Sequence, residues 1–184
     1  MFLITELIAF LCGNLILNQA LGISTMFTAA KSRKNLIGTA AVITIFTTFA
    51  SAFAYFIDLI FPQTDIRLLL YVAAVGIIYI GLLFGLKKFS GKNFVKYSKY
   101  VHISAFNCAV MGTVFTVGGT AENAGFFRYI LAGIEAGAGF VFASLILTAA
   151  YKRLDSDKVP PSFRGFPAML VYLGIISMAL YALK

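Results

Sequence analysis

The stretch His102-Ile-Ser-Ala-Phe-Asn-Cys-Ala-Val-Met-Gly112 places a single thiol, Cys108, beside a polar Asn107 inside an apolar run. Two readings are open for Cys108. A buried cysteine packs as a small hydrophobe. A cysteine thiolate also suits iron–sulfur clusters, and such a site can be shared between chains. The second group is Glu135, in Leu131-Ala-Gly-Ile-Glu-Ala-Gly-Ala-Gly-Phe140. A carboxyl group inside a membrane span is costly and reads by default as functional, here as an ion-coupling group. The other reading is a hydrogen-bonded structural Glu at a helix contact. Gly133 and Gly137 form a G-x-x-x-G step with Ala132, Ala136 and Gly139 nearby, a pattern that lets helix backbones approach closely. Asn14, Asn18, Gln19 and Asn107 can hydrogen-bond a broken helix end, a cofactor or a neighbouring helix. Gly22 and Gly112 are read as permitting breaks. Thr44, Thr47, Thr48 and Ser51 are expected to bond back to their own helix, His102 to sit at an interface, and Glu6 to be solvated. Catalytic triads, phosphate loops and metalloprotease helices are absent from the sequence.

The elements that position these groups follow from charge spacing. Sixty per cent of the 184 residues are hydrophobic and 12% are charged, far from soluble usage. Uncharged stretches of 24, 23, 19, 22 and 19 residues follow Glu6, Lys34, Arg67, Lys99 and Arg164, and one of 23 after Arg128 is broken only by Glu135. A membrane helix takes roughly 20 apolar residues, so the count predicts six spans, over about 3–24, 36–60, 67–86, 101–119, 126–151 and 167–183. The whole chain, 1–184, is expected to be one six-helix all-α membrane domain with half-repeats at about 1–86 and 87–184. The first run is read as a span rather than a cleaved leader, because it lacks a basic start and a small-residue cleavage site.

Of the 15 basic residues, 12 fall in the first, third and fifth gaps between spans. By the positive-inside rule those gaps are cytoplasmic and both termini are outside. The basic excess is thus a topology signal and a contact for anionic lipid heads, not a nucleic-acid footprint. The Lys/aromatic stretch 87–100 is read as an interfacial loop between spans. Segment 152–166, with Pro160 and Pro161, is read as an extended turn. Two cysteines, Cys12 and Cys108, are too few for a four-thiolate site within one chain.

Spans one and four each mix Asn, Gly and small residues into their middles, at 13–24 and 105–112. Such breaks are tolerated in a bilayer only where protein or a cavity satisfies the freed backbone. Two interrupted segments, one opening each half, point to a 3+3 inverted repeat with interrupted helices one and four.

Three stretches carry a family resemblance. Asn107-Cys-Ala-Val-Met-Gly112 resembles the N-C-A-V-L-G signature of the membrane subunits shared by Rnf electron-transport complexes and sodium-pumping NADH:quinone reductases. Gly13-Asn-Leu-Ile-Leu-Asn-Gln-Ala-Leu-Gly-Ile-Ser24 resembles their first-helix segment, and 159–180 resembles their V-P-x-x-F-x-G end followed by a final helix. The stretches are in family order across a chain of family length. Termini outside resemble the RnfA/NqrE type rather than the RnfE/NqrD type.

The resemblance implies an inner-membrane subunit of a redox-driven ion pump, paired with a paralogous RnfE/NqrD-type subunit in opposite orientation and with flavin-bearing subunits. It implies a [2Fe–2S] cluster held by two cysteines from each of the pair, one per broken helix, with electron flow coupled to Na⁺ or H⁺. Cys108 carries over as one ligand. The other family cysteine falls at Ser24. Cys12 is twelve residues earlier, about 18 Å along a helix, so it is a poor substitute. A cluster with mixed ligands, a cluster-less paralogue and a Cys→Ser change all stay open. A secondary transporter with Glu135 as its coupling group, and a membrane scaffold, are the rival functions.

Overall fold

The computed structural model describes residues 13–30, 33–61, 66–89, 94–120 and 125–182. These residues are all helix and turn. Helix α1 spans Leu15–Gln19, α2 Ile23–Ala30, α3 Arg33–Ile60 and α4 Ile66–Phe89. Helix α5 spans Phe94–Ala105, α6 Cys108–Thr120, α7 Phe126–Leu154 and α8 Phe166–Tyr181.

Three helices are long and apolar enough to cross a membrane: Asn35–Ile60, Ile66–Lys88 and Phe126–Tyr151. The pair α5/α6, bent by 48° at its break, makes a fourth if read as one span. Helix α8 is apolar but has only 16 residues. The first part of the first predicted span, 3–12, with Glu6 and Cys12, lies outside the described residues. Large apolar side chains such as Leu69, Ile77, Phe84 and Ile175 stand exposed, the arrangement of a chain whose solvent is hydrocarbon.

The core forms where α3 and α7 lie side by side. Phe46 and Ile43 from α3 and Phe140 and Leu147 from α7 are fully buried. Two glycines permit that approach. A Cβ on Gly133 would stand 2.7 Å from the Thr47 carbonyl oxygen, and one on Gly137 would stand 2.6 Å from Thr44 Cγ2. The small-residue step therefore serves the α3–α7 contact.

Both expected interruptions are present. Helix α1 starts at Asn14, whose Oδ1 accepts the Ile16 N–H at 3.0 Å. It stops at Ala20, φ 57°, and the chain turns through Gly22, φ 79°, into α2. The second break falls at 106–107, between α5 and α6.

Two segments differ from expectation. The 87–100 stretch is mostly helix: α4 continues to Phe89 and α5 begins at Phe94. Lys87 and Lys88 end α4, where cations suit the carbonyl end of a helix. The 155–165 connection is compact rather than extended. The Pro160 carbonyl accepts from the Phe163 N–H at 2.9 Å and the Arg164 N–H at 3.1 Å, and Arg164 pairs with Asp157 at 2.9 Å. Proline's fixed φ fits a turn as readily as an extended strand, and its carbonyl still accepts.

Candidate functional site

The two helix breaks meet. The Gly22 N–H donates to Cys108 Sγ at 2.9 Å, across 86 residues of sequence. Asn107 organises the second break as Asn14 does the first. Its Oδ1 accepts the Ala109 N–H at 3.0 Å, capping α6, and lies 3.6 Å from Cys108 Sγ as an acceptor for the thiol. Asparagine does this well because its short amide reaches the backbone two residues on. Asn14 also ties the first break to α7, donating from Nδ2 to the Gly139 carbonyl at 3.0 Å.

The seat is tight. Gly22 is buried, and a Cβ there would stand 3.2 Å from both Ala109 Cβ and Asn107 Oδ1. Gly112 lies within α6, away from the break, and its bare face receives the Leu21 side chain. Cys108 is exposed while its neighbours Ala109 and Val110 are buried. Its sulfur therefore opens outward instead of filling the core. Asn107 is 95% buried, since it is 5% exposed, yet its Nδ2 has no hydrogen-bond partner among the described residues. A buried donor without a partner asks for an acceptor.

Ser24 is exposed in the first turn of α2, and its carbonyl accepts from the Thr28 hydroxyl at 3.2 Å. Among the described residues no three His, Cys, Asp or Glu side chains gather where they could hold a metal ion.

The remaining candidates scatter. Glu135 is exposed on α7. Asn18 continues α1, and Gln19 is exposed. Thr44, Thr47 and Thr48 donate to carbonyls one turn back at 2.9, 3.0 and 2.8 Å, whereas the buried Ser51 hydroxyl has no partner among the described residues. His102 Nδ1 lies 2.7 Å from the Tyr79 hydroxyl, a cross-helix pair that sequence reading missed.

A second polar cluster was also missed. Asp58, near the end of α3, accepts the Tyr71 hydroxyl of α4 at Oδ1 and the Tyr129 hydroxyl of α7 at Oδ2, the latter at 2.7 Å. Arg67 Nε stands 3.7 Å from the same carboxylate. Gly118 of α6 leaves room for the Tyr71 hydroxyl. In the sequence Asp58 and Arg67 read only as span ends. Their nine-residue separation across a short connection was the available signal, but nothing in it announced the tyrosines.

Paired interrupted helices packed against long apolar ones, with capping amides at the interruptions, define an integral membrane protein. Residues 4–184 match the family model described as "Rnf-Nqr subunit, membrane protein", and the chain belongs to that family. It is similar to the A component of the Na(+)-translocating ferredoxin:NAD(+) oxidoreductase complex of Acetobacterium woodii, with 25% identity over 93% of this chain and 90% of the relative. The A component of the ion-translocating oxidoreductase complex of Aromatoleum aromaticum is 26% identical over 95% and 91%, and that of Cronobacter sakazakii 28% over 92% and 89%.

Proposed function

We propose that this chain is the RnfA-type component of a redox-driven ion-translocating complex, and that it supplies half of a [2Fe–2S] site. The observation that carries the reading is the outward-facing Cys108 sulfur seated on the Gly22 N–H where two broken helices meet. Hydrogen bonds to cysteine sulfur are one of the levers by which proteins tune iron–sulfur clusters. The buried Asn107 Nδ2, without a partner among the described residues, is a further donor at the same break.

Cys108 is the thiolate ligand, and Ser24 stands where a second ligand belongs. When bound, such a cluster supplies one-electron transfer within the membrane. This chain's residues hold the geometry: Asn14 and Asn107 cap the helices at the breaks, and Gly22 lets the backbone reach the sulfur. The other ligands come from a paralogous subunit of opposite orientation. Matching halves support the inverted repeat: α1/α2, α3 and α4, then α5/α6, α7 and α8, each opening with an Asn-capped break. The lysine distribution supports both termini outside the inner membrane.

The test is to co-purify the chain with its membrane partners and measure iron, acid-labile sulfide and the reduced-state EPR spectrum, with Cys108→Ser alongside. A two-iron signal, lost in the variant, is the expected result. An intact complex without iron would sink the cluster and bring forward the reading that Ser24 favours, a cluster-less paralogue working as a transporter or scaffold.

A further inference from the structure

Helix α7 has two unlike faces. Tyr129, Gly133, Gly137, Phe140, Ser144 and Leu147 are buried in the bundle. Phe127, Leu131, Ile134, Ala138 and Leu145 are exposed, and Glu135 stands among them. The large apolar residues suit lipid tails. Glu135 does not. It lies nine residues after Phe126 and sixteen before Tyr151 in a single span. At 1.5 Å per residue that is about 13 and 24 Å from the two ends, within a hydrocarbon layer roughly 30 Å thick. Neither ion pair found among the described residues involves Glu135, and none of their hydrogen bonds reaches its carboxyl. Hydrocarbon offers no donor, so the acceptors of this carboxyl must be met from beyond the described residues.

We infer that the outer face of α7 around Glu135 is a protein–protein contact within the membrane, occupied by a transmembrane helix of a different subunit that sets a basic or hydrogen-bond-donating side chain against the carboxyl. The relief of the surface fits a helix. Ala138 is exposed beside Glu135, and Ala132 and Ala136 are half-buried, so the carboxyl rises from a shallow floor that another backbone can approach. Charge chooses the occupant. A second copy in the same orientation, related by an axis along the membrane normal, would meet this face at equal depth and set Glu135 against Glu135. Arg128, the nearest exposed cation on the same helix, is seven residues away, about 10 Å along the axis, too far to serve such a copy. The inference does not depend on the iron–sulfur reading.

The experiment places a photo-crosslinking residue at Leu131 or Ala138, and at exposed Ile77 of α4 for comparison, in membranes where the chain is expressed with its neighbours. Adducts are mapped by mass spectrometry. Leu131 and Ala138 should give one polypeptide adduct, mapped to a membrane-spanning segment that carries a Lys, Arg or other donor. Glu135→Leu should lower its yield at least tenfold, and Glu135→Gln, which still accepts hydrogen bonds, should retain most of it. Exchanging charges, with Glu135→Lys and an acidic residue at the partner's basic position, should restore it. Because Glu135 has no partner among the described residues, the melting temperature of the solubilised chain should be unchanged in both single variants, which separates lost contact from lost fold. Lipid adducts alone at Leu131 and Ala138, an adduct to a second copy of this chain, or a yield indifferent to Glu135→Leu would each overturn the inference.

Discussion

At the scale of single residues, packing and chemistry separate at Cys108. A core cysteine contributes through buried surface, but Cys108 is exposed, so what Cys108→Ala removes is the acceptor of the buried Gly22 N–H, at a cost of about 1–3 kcal/mol of stability. The same change should remove bound iron from the co-purified complex. Cys108→Ser, which keeps an acceptor for that N–H, should regain most of the stability but not the iron, so melting temperature and iron read together tell packing from ligation. Gly22 is limited by space. Its φ of 79° and its 3.2 Å approaches to Ala109 and Asn107 leave no room for a side chain. Gly22→Ala should destabilise by about 1–3 kcal/mol, from left-handed backbone strain and overpacking, read as a lower melting temperature in detergent. Cys108, Asn107 and Gly22 were legible in sequence because a thiol, an amide and a glycine are conspicuous among aliphatic residues. The role of Gly112 was not, because a glycine that admits Leu21 looks the same in sequence as one that breaks a helix.

At the scale of elements, the α3–α7 contact depends on two missing side chains. Gly137→Leu would drive a branched chain into Thr44 and should cost about 1–3 kcal/mol or separate the helices. Ala138→Leu, one residue on but exposed, should leave the melting temperature unchanged. Comparing the two by thermal unfolding of the solubilised chain checks that glycine spacing, rather than helix propensity, holds the pair. The small-x-x-x-small pattern was readable because it is periodic on one helix. Its partner was not, since no pattern within α7 names α3. The turns at 155–165 were misjudged for a related reason: two prolines set local φ, while the Arg164–Asp157 pair and the Pro160 carbonyl bonds decide compactness.

At the scale of the whole molecule, Asp58 gathers α3, α4 and α7 at one end of the bundle, through two tyrosine hydroxyls and Arg67. Removing it leaves two phenols and a guanidinium without their shared acceptor. Asp58→Ala should destabilise by about 3–5 kcal/mol, the range for breaking a largely buried charged contact, with Tyr129→Phe about 1.5–3 kcal/mol. Chemical unfolding of both variants in the same detergent checks the order of the two losses. An Asp58→Ala chain as stable as the parent would mean that water serves this carboxylate.

By itself the sequence determined the membrane character and the two stretches, 13–24 and 105–112, in which helical bonding is interrupted. Those depend on local quantities: runs of uncharged residues about as long as a bilayer is thick, and Gly or Asn where helical bonding is weakest. Only the tertiary structure decided that the Gly22 amide meets the Cys108 sulfur, that Asp58 is shared by Tyr71 and Tyr129, and that Glu135 faces outward while its flanking glycines face in. Each of those depends on rotation and contact between helices distant in sequence. Summed hydrophobicity drives helices into the membrane but carries no directional information, so the facing of each helix is settled by side-chain fit.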